Sequence, residues 1–82
     1  MNRYVFRIQD GSNGTWLVGF DAPSDPEALR RAGTTCGEYA AEARGEYVTV
    51  ETYRDPTQGS GFGAFLGTIV MNDECQGEVS VP

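Results

Sequence analysis

Three glutamates near the end of a predicted helix are spaced so that they could form one acidic binding surface. Glu38, Glu42 and Glu46 recur every four residues, so a helix continuing through them would align them in one row. Like charges at this spacing repel, and carboxylates near a helix C-terminus oppose the helix dipole by roughly 0.3–1 kcal/mol each. A surface selected to meet an electropositive partner would show such a row, and so would ordinary drift on a solvated face.

The charge of the whole chain is acidic and unevenly distributed. Twelve Asp and Glu residues outnumber six basic residues, all of them Arg, which gives a net charge of −6. After residue 45 there are six acids, Glu51 and Asp55 among them, against Arg54 alone. An acidic chain is repelled by phosphate backbones and anionic membranes, so we expect no direct nucleic-acid or membrane partner. A basic groove on another protein is the partner that this charge favours.

The chain lacks the side chains that most enzymes use. It contains no His and no Lys, which removes the usual general base, the commonest metal ligand and Schiff-base chemistry. Cys36 falls on the apolar face of the predicted helix, where a packed thiol is inert, and Cys75 lies among acids, which disfavour a thiolate. Two thiols are too few for a structural zinc site, and if they meet, a disulfide is the expected outcome. We therefore expect no catalysis, no metal and no cofactor, unless Cys75 proves reactive.

A glycine-rich segment in the second half of the chain has the composition of a phosphate-binding loop. Such a loop needs a following helix and usually a Lys, whereas a predicted strand follows Gly59 and Gly61. The segment is therefore interpreted as a hairpin tip. Arg54 and Phe62 flank it, and both residue types are enriched at binding hot spots, although Phe62 could equally anchor a strand.

Two alternating segments at the start of the chain predict an antiparallel β-hairpin. From Arg3 to Gln9 and from Thr15 to Asp21, apolar and polar residues alternate with the period of two that a half-buried strand requires. The residues between them, 10–14, are all turn formers. The side chains expected to contact the core are Tyr4, Phe6, Ile8, Trp16, Val18 and Phe20.

A helix is predicted to begin shortly after this hairpin. Ser24 followed by Glu27 fits a capping box, and Asp25 followed by Pro26 fits the same start one residue later. Gly45 is expected to end the helix. The residues that recur at helical spacing and are expected to pack on the sheet are Leu29, Ala32, Cys36, Tyr39, Ala40 and Ala43.

Two glycines, Gly33 and Gly37, lie inside this predicted helix, although each Gly costs roughly 1 kcal/mol relative to Ala. A close approach of the helix to the sheet, or a kink, would explain them. In either case the helix depends on its packing more than on intrinsic propensity.

The second half of the chain is predicted to form strands. Tyr47 to Tyr53 is rich in Val, Thr and Tyr, and Phe62 to Met71 is long and apolar, with two glycines that weaken or bulge it. Glu78 to Val81 is a candidate for a short edge strand in a polar tail. The order ββαββ predicts a single α+β domain over residues 1–82, with one helix packed on an antiparallel sheet.

The chain carries no segment that predicts export or membrane insertion. No stretch approaches the roughly 18 apolar residues of a spanning helix. The first ten residues alternate in polarity and do not form the apolar core of a signal peptide. We therefore expect the protein to be cytoplasmic.

Several short features together resemble a known family, the small phage-encoded anti-CRISPR proteins that act on type I surveillance complexes, in particular those of type I-E. The likeness spans about residues 2–67 and lies in the order and character of its pieces. These are a short strand at Asn2-Arg3-Tyr4, a gap rich in Asn, Ser and Gly, Phe20-Asp21-Ala22 leading into an Ala-rich helix, Tyr53-Arg54-Asp55, the turn Gly59-Ser60-Gly61, and Phe62 with Ala64 behind it. Asp55-Pro56 and the acidic tail after Asn72 depart from it.

This resemblance implies a non-enzymatic inhibitor that binds a Cas subunit in the cytoplasm of the host cell and presents carboxylates where DNA phosphates would lie. On this hypothesis the acids would meet an Arg- and Lys-lined groove, and Arg54 and Phe62 would add specificity. The acids concerned are Glu38, Glu42, Glu46, Glu51 and Asp55.

The alternative is a small cytoplasmic phage or bacterial interaction module without an inhibitory role, which adds an edge strand to a partner sheet. Homodimerisation through the strand predicted at Phe62–Met71 would favour this alternative. Neither the Cas subunit nor the oligomeric state follows from the sequence.

Overall fold

Five antiparallel strands and one helix follow the order ββαβββ. The computed structural model describes residues 2–11, 14–43, 46–55, 63–72 and 77–81. The elements are β1 (Asn2–Asp10), β2 (Gly14–Ala22), α1 (Asp25–Glu42), β3 (Val48–Arg54), β4 (Phe65–Met71) and β5 (Gly77–Ser80). The α+β class, with one helix on an antiparallel sheet, is therefore confirmed. The polar tail supplies a fifth strand, which the sequence indicated only as a candidate.

The hairpin of β1 and β2 is in unbroken register. Its pairs run from Asn2↔Ala22 at the open end to Asp10↔Gly14 at the turn. Gly14 has a φ of 98°, a left-handed conformation that a residue without a Cβ adopts at no steric cost. The alternation in the sequence predicted this hairpin correctly because strand periodicity and turn composition are both local signals.

The sheet has the strand order β2-β1-β3-β4-β5, so β2 and β5 are its two edges. β4 pairs with β3 on one side and with β5 on the other. The strand that the sequence offered as a dimerisation edge is therefore internal. It also begins at Phe65 and not at Phe62, which lies outside the described residues.

The helix begins as predicted and ends earlier than predicted. Ser24 is the N-cap, and its Oγ accepts a hydrogen bond from the Glu27 N–H at 3.4 Å. α1 ends at Glu42 with Ala43 as the C-cap, whereas the sequence placed the end at Gly45, outside the described residues. In the part of the chain that the structure describes, no helix is long and apolar enough to cross a membrane.

The core lies between α1 and one face of the sheet, which we call the covered face. Helix residues Ala32, Cys36 and Ala40 pack there against strand residues such as Val50 and Ile69. The opposite, open face carries side chains that are half-buried or exposed. α1 packs mainly over β3 and β4, which leaves the covered face of β2 only partly sheltered.

The glycines in α1 are not explained by close packing. A Cβ at Gly37 would meet nothing within 4 Å, and one at Gly33 would make an ordinary contact of 3.7 Å with Ile69. Gly67 in β4 is different, because a Cβ there would lie 3.0 Å from the Ser80 carbonyl oxygen. The β3–β4 register also shifts between Thr52 and Tyr53, beside Gly67. The predicted weakening of this strand is thus located at Gly67.

Candidate protein-binding surface

The outer side of α1 carries two of the acids that the sequence singled out. Because the buried residues of α1 contact the sheet, Glu38 and Glu42 lie on the solvent side, and both are exposed. Glu42 is the last helical residue, and the last turn contains no basic side chain. No basic residue in the described ranges lies within ion-pair distance of either carboxylate. Among the residues that the structure describes, neither charge is therefore compensated, and that of Glu42 lies where the helix dipole is negative.

Glu46 does not continue this helical row. α1 has already ended at Glu42, so Glu46 lies beyond the helix, where its N–H donates to the Ala43 carbonyl oxygen at 3.3 Å, and it is itself exposed. Its carboxylate lies against Gly11, where it fills the space that a Cβ of that residue would occupy. The expected stripe of three helical acids is therefore two acids on α1 and a third directed at the end of β1.

Glu51 and Asp55 lie on the other side of the molecule. Glu51 pairs with Arg7 across β1 and β3 on the open face, with 2.5 Å between Arg7 Nη1 and Glu51 Oε1. Asp55 follows β3, and its carboxylate is 3.6 Å from Arg3 Nε. Arg3 also contacts Asp21, at 3.4 Å. The acids proposed from the sequence thus form two groups on opposite faces of the sheet, and the open-face group is already paired with Arg.

Arg54 holds the start of the helix. Its guanidinium donates to the Asp25 carboxylate, which also accepts a hydrogen bond from the buried Tyr4 hydroxyl at 2.7 Å. The Arg54 hydrogen bond, with that of Tyr4, holds the pKa of Asp25 below its ordinary value. Burial, then the contact with Asp25, raises the pKa of Tyr4. The structure thus gives Arg54 an architectural contact, while Phe62 lies outside the described residues.

The ion pairs leave few acids uncompensated. Every Arg in the described ranges contacts a carboxylate: Arg3, Arg7, Arg30, Arg31 and Arg54. Among the described acids, Glu38, Glu42 and Glu78 have no such contact. Two of these three lie on α1, so the helix is where negative charge is most available to a partner.

The buried thiol of Cys36 offers no reactive group. The residue is fully buried between α1 and the sheet, and its Sγ lies 3.3 Å from the Val48 carbonyl oxygen, which accepts its weak hydrogen bond. Burial raises the pKa of Cys36, which disfavours the nucleophilic thiolate. Cys75 lies outside the described residues. Within the described ranges, no three His, Cys, Asp or Glu side chains are grouped to hold a metal ion.

An apolar cleft runs along the same side of α1 as Glu38. Its volume is about 430 Å³, and it opens between the helix and the β1–β2 hairpin. Val18 and Phe20 form part of its floor, while Arg30 and Glu38 contribute to its polar rim. An apolar floor with a charged rim is a common form of a protein-binding surface.

Sequence reasoning missed this cleft, although one signal was present. The alternation in β2 assigned Val18 to the core, yet its side chain is 38% exposed because α1 lies over other strands. Trp16 is sheltered instead by an edge-on contact with Tyr39, with ring centroids 5.3 Å apart. A single helix that packs on the sheet mostly through Ala side chains cannot cover five strands, and the Ala residues on its predicted inner face were visible in the sequence.

The fold and this surface define a small α+β domain whose helix presents two carboxylates beside an apolar cleft. A scan against protein-family models found no match, and searches of curated proteins and of solved structures found none either. The function of the surface is therefore argued from its geometry and charge, together with the resemblance in the sequence.

Proposed function

We propose that this protein is a non-enzymatic inhibitor that binds a Cas subunit of a type I CRISPR surveillance complex in the host cytoplasm and blocks binding of target DNA. The observation that carries the proposal is the pair Glu38 and Glu42 on the outer side of α1, which have no basic partner in the described part of the chain. The resemblance of residues 2–67 to small anti-CRISPR proteins supplies the class of partner. A groove that holds DNA is lined with Arg and Lys, because it must neutralise phosphates.

The spacing of the two acids supports imitation of a phosphate backbone. Residues four apart on a helix are separated by about 6 Å along its axis. Successive phosphates of one DNA strand rise by roughly 3.4 Å along the duplex axis, and the rotation between them makes their separation in space about twice that rise. Glu38 and Glu42 therefore match successive phosphates of one strand, within reach of the same basic side chains.

The remaining acids contribute less to this proposal. Glu51 and Asp55 are held by Arg on the open face, and a partner would have to replace those ion pairs. Arg54 is likewise held by Asp25. Glu46 lies beyond the end of α1 and is exposed, with its carboxylate against Gly11, so it adds negative charge near the end of β1 and not to the helical pair.

The direct test is a gel shift with a purified type I-E surveillance complex and its target DNA. The protein should abolish the shifted DNA band and migrate with the complex. Glu38→Arg should weaken inhibition by about tenfold or more, because it reverses a charge that faces basic residues. Glu78→Arg is the matched control, because it changes the net charge equally at an exposed site on β5.

Each alternative outcome has a separate meaning. Migration with the complex while DNA stays bound would contradict the proposed block and point to a later step, such as nuclease recruitment. Equal weakening by Glu38→Arg and Glu78→Arg would remove the role of the helix and leave only net charge. Absence of both binding and inhibition would contradict the proposal for this type of complex.

A second candidate, an interaction module without inhibitory activity, is supported by the long outer edge of β2. Such a module would bind a partner through backbone hydrogen bonds, and its affinity would depend little on salt. Binding to a basic Cas groove would instead weaken as salt rises. A salt titration of partner binding therefore separates the two candidates.

A further inference from the structure

β2 is an unusually unprotected sheet edge. It is nine residues long, pairs with β1 without a bulge, and forms one border of the sheet. Its sequence, GTWLVGFDA, contains no Lys, Arg or Pro and a single charged residue, Asp21. Proteins normally protect such edges with Lys, Pro, bulges or a covering segment, because exposed backbone groups pair with other strands. The opposite edge, β5, is only four residues long.

The backbone of β2 alternates in direction, and one hydrogen bond fixes which residues point outward. The Asp55 N–H donates to the Arg3 carbonyl oxygen at 3.0 Å, so the backbone groups of Arg3 point toward β3. In an antiparallel strand this direction reverses at each residue, so those of Phe6 point toward β2 and its partner Val18. The backbone N–H and C=O groups of Leu17 therefore point to the outer edge.

By the same alternation, Thr15, Gly19 and Asp21 also direct their backbone groups outward. The Asp21 carbonyl is already used, because Arg31 Nη1 donates to it at 2.5 Å. This contact closes one end of the outer edge. In the described part of β2, the outward-pointing backbone N–H and C=O groups that remain are those of Thr15, Leu17 and Gly19. This set is symmetric about Leu17.

The exposed side chains of β2 are centred on the same point. Leu17 is 57% exposed on the open face, and its neighbour Val18 is 38% exposed on the covered face. In an antiparallel pair of two β2 strands centred on Leu17, each Leu17 lies opposite its counterpart. Each Val18 then lies opposite Trp16 of the second copy. One pairing therefore gives the exposed apolar residues on both faces an apolar cross-strand neighbour.

We propose that two copies of this chain pair through β2 about a two-fold axis at Leu17, which joins two five-stranded sheets into one of ten strands. The charged residues of β2 do not prevent two copies from pairing. Asp21 is four residues from the axis, so the two Asp21 side chains are separated by about 27 Å along the strands. Thr15 lies opposite Gly19, where the Arg3 guanidinium occupies the space that a side chain of Gly19 would fill. The match is self-complementary, as an isologous interface requires.

The dimer should respond to salt in the opposite sense to partner binding. Each copy has a net charge of −6, so two copies repel one another at low ionic strength. Added salt screens this repulsion and should lower the dimer dissociation constant, whereas it should weaken binding to a basic groove. The proposal does not rest on the function proposed above.

Sedimentation velocity over a concentration series, at low and at high salt, tests the proposal. The wild-type protein should reach the mass of a dimer, and more readily at high salt. Leu17→Lys should raise the dissociation constant by at least about tenfold, because it replaces the cross-strand contact between the two Leu17 side chains by two ammonium groups opposite each other. Val79→Lys, at the 69% exposed position on the other edge, is the matched control and should leave the dimer intact.

Amide hydrogen exchange tests the proposal on the wild-type protein, so it applies even if a variant does not fold. In the wild-type protein, exchange at Leu17 and Gly19 should slow as the protein concentration rises, because their N–H groups become paired only in the dimer. A wild-type protein that stays monomeric at every concentration overturns the proposal. So does a dimer that survives Leu17→Lys, or one that Val79→Lys disrupts.

Discussion

Negatively charged side chains stabilise one end of α1 and destabilise the other. At the start, Asp25 accepts hydrogen bonds from Tyr4 and Arg54 and lies where the helix dipole is positive. At the other end, Glu38 and Glu42 have no basic partner in the described residues, and no basic side chain occupies the last turn. Carboxylates at the start hold the fold together, while those at the end cost stability and remain available to a partner.

The largest change in stability is expected when the Asp25 carboxylate at the start of α1 is removed. Asp25→Ala should lower the Tm by roughly 10 °C, because it removes the partner of the buried Tyr4 hydroxyl, an ion pair and a favourable dipole contact. Thermal unfolding followed by circular dichroism measures the change. Asp21→Ala is the control, since its ion pair with Arg3 is exposed and should contribute little. Equal Tm values for the two variants would contradict the role given to Asp25.

The stabilising effect of the Asp25 carboxylate should also appear, with a smaller change in Tm, in the pH dependence of stability. The pKa of Asp25 is lowered in the folded protein, first by Arg54 and then by Tyr4. A lowered pKa contributes stability that is present above the ordinary value of 3.8 and is lost as the pH falls through the folded value. Asp25→Asn should therefore be less stable than wild type at pH 7, and the difference between the two Tm values should shrink as the pH falls below 3.8. A gap that persists at low pH would show that the carboxylate charge is not the cause.

The smallest change in stability is expected at the C-terminal end of α1, where a substitution should stabilise the protein. Glu42→Lys should stabilise the protein by roughly 0.3–1 kcal/mol, because it replaces an unfavourable charge at the helix C-terminus by a favourable one. Urea unfolding gives the free energy directly. The same variant should weaken binding to a basic partner. Loss of stability would contradict the view that Glu42 is retained at a cost to the fold.

What the sequence predicted well was local. The β1–β2 hairpin followed from an alternation of period two and a run of turn formers, and the helix start followed from Ser24 and Glu27. These signals are contained in a few consecutive residues. They need no knowledge of the rest of the chain.

What the sequence did not predict depends on long-range packing. Glu46 had the spacing of a helical row, but α1 ends at Glu42, and the Glu46 carboxylate packs against Gly11 instead. The pairing of Glu51 with Arg7 depends on the β1–β3 register, which joins residues 44 positions apart. The place of β4 inside the sheet and the cleft beside α1 likewise follow from the strand order. None of these has a local signature.

The position of β1 in the strand order has a consequence for how the chain folds. β1 meets β2 through a short turn, but its other neighbour, β3, arrives only after the hairpin and the whole of α1, and Tyr4 pairs with Arg54 across 50 positions. Closing a loop of that length costs entropy before its contacts repay it, so the hairpin can form early and must wait for β3. Until then the side of β1 that faces β3 stays unpaired, and the rate of β1–β3 docking sets how long this aggregation-prone edge persists.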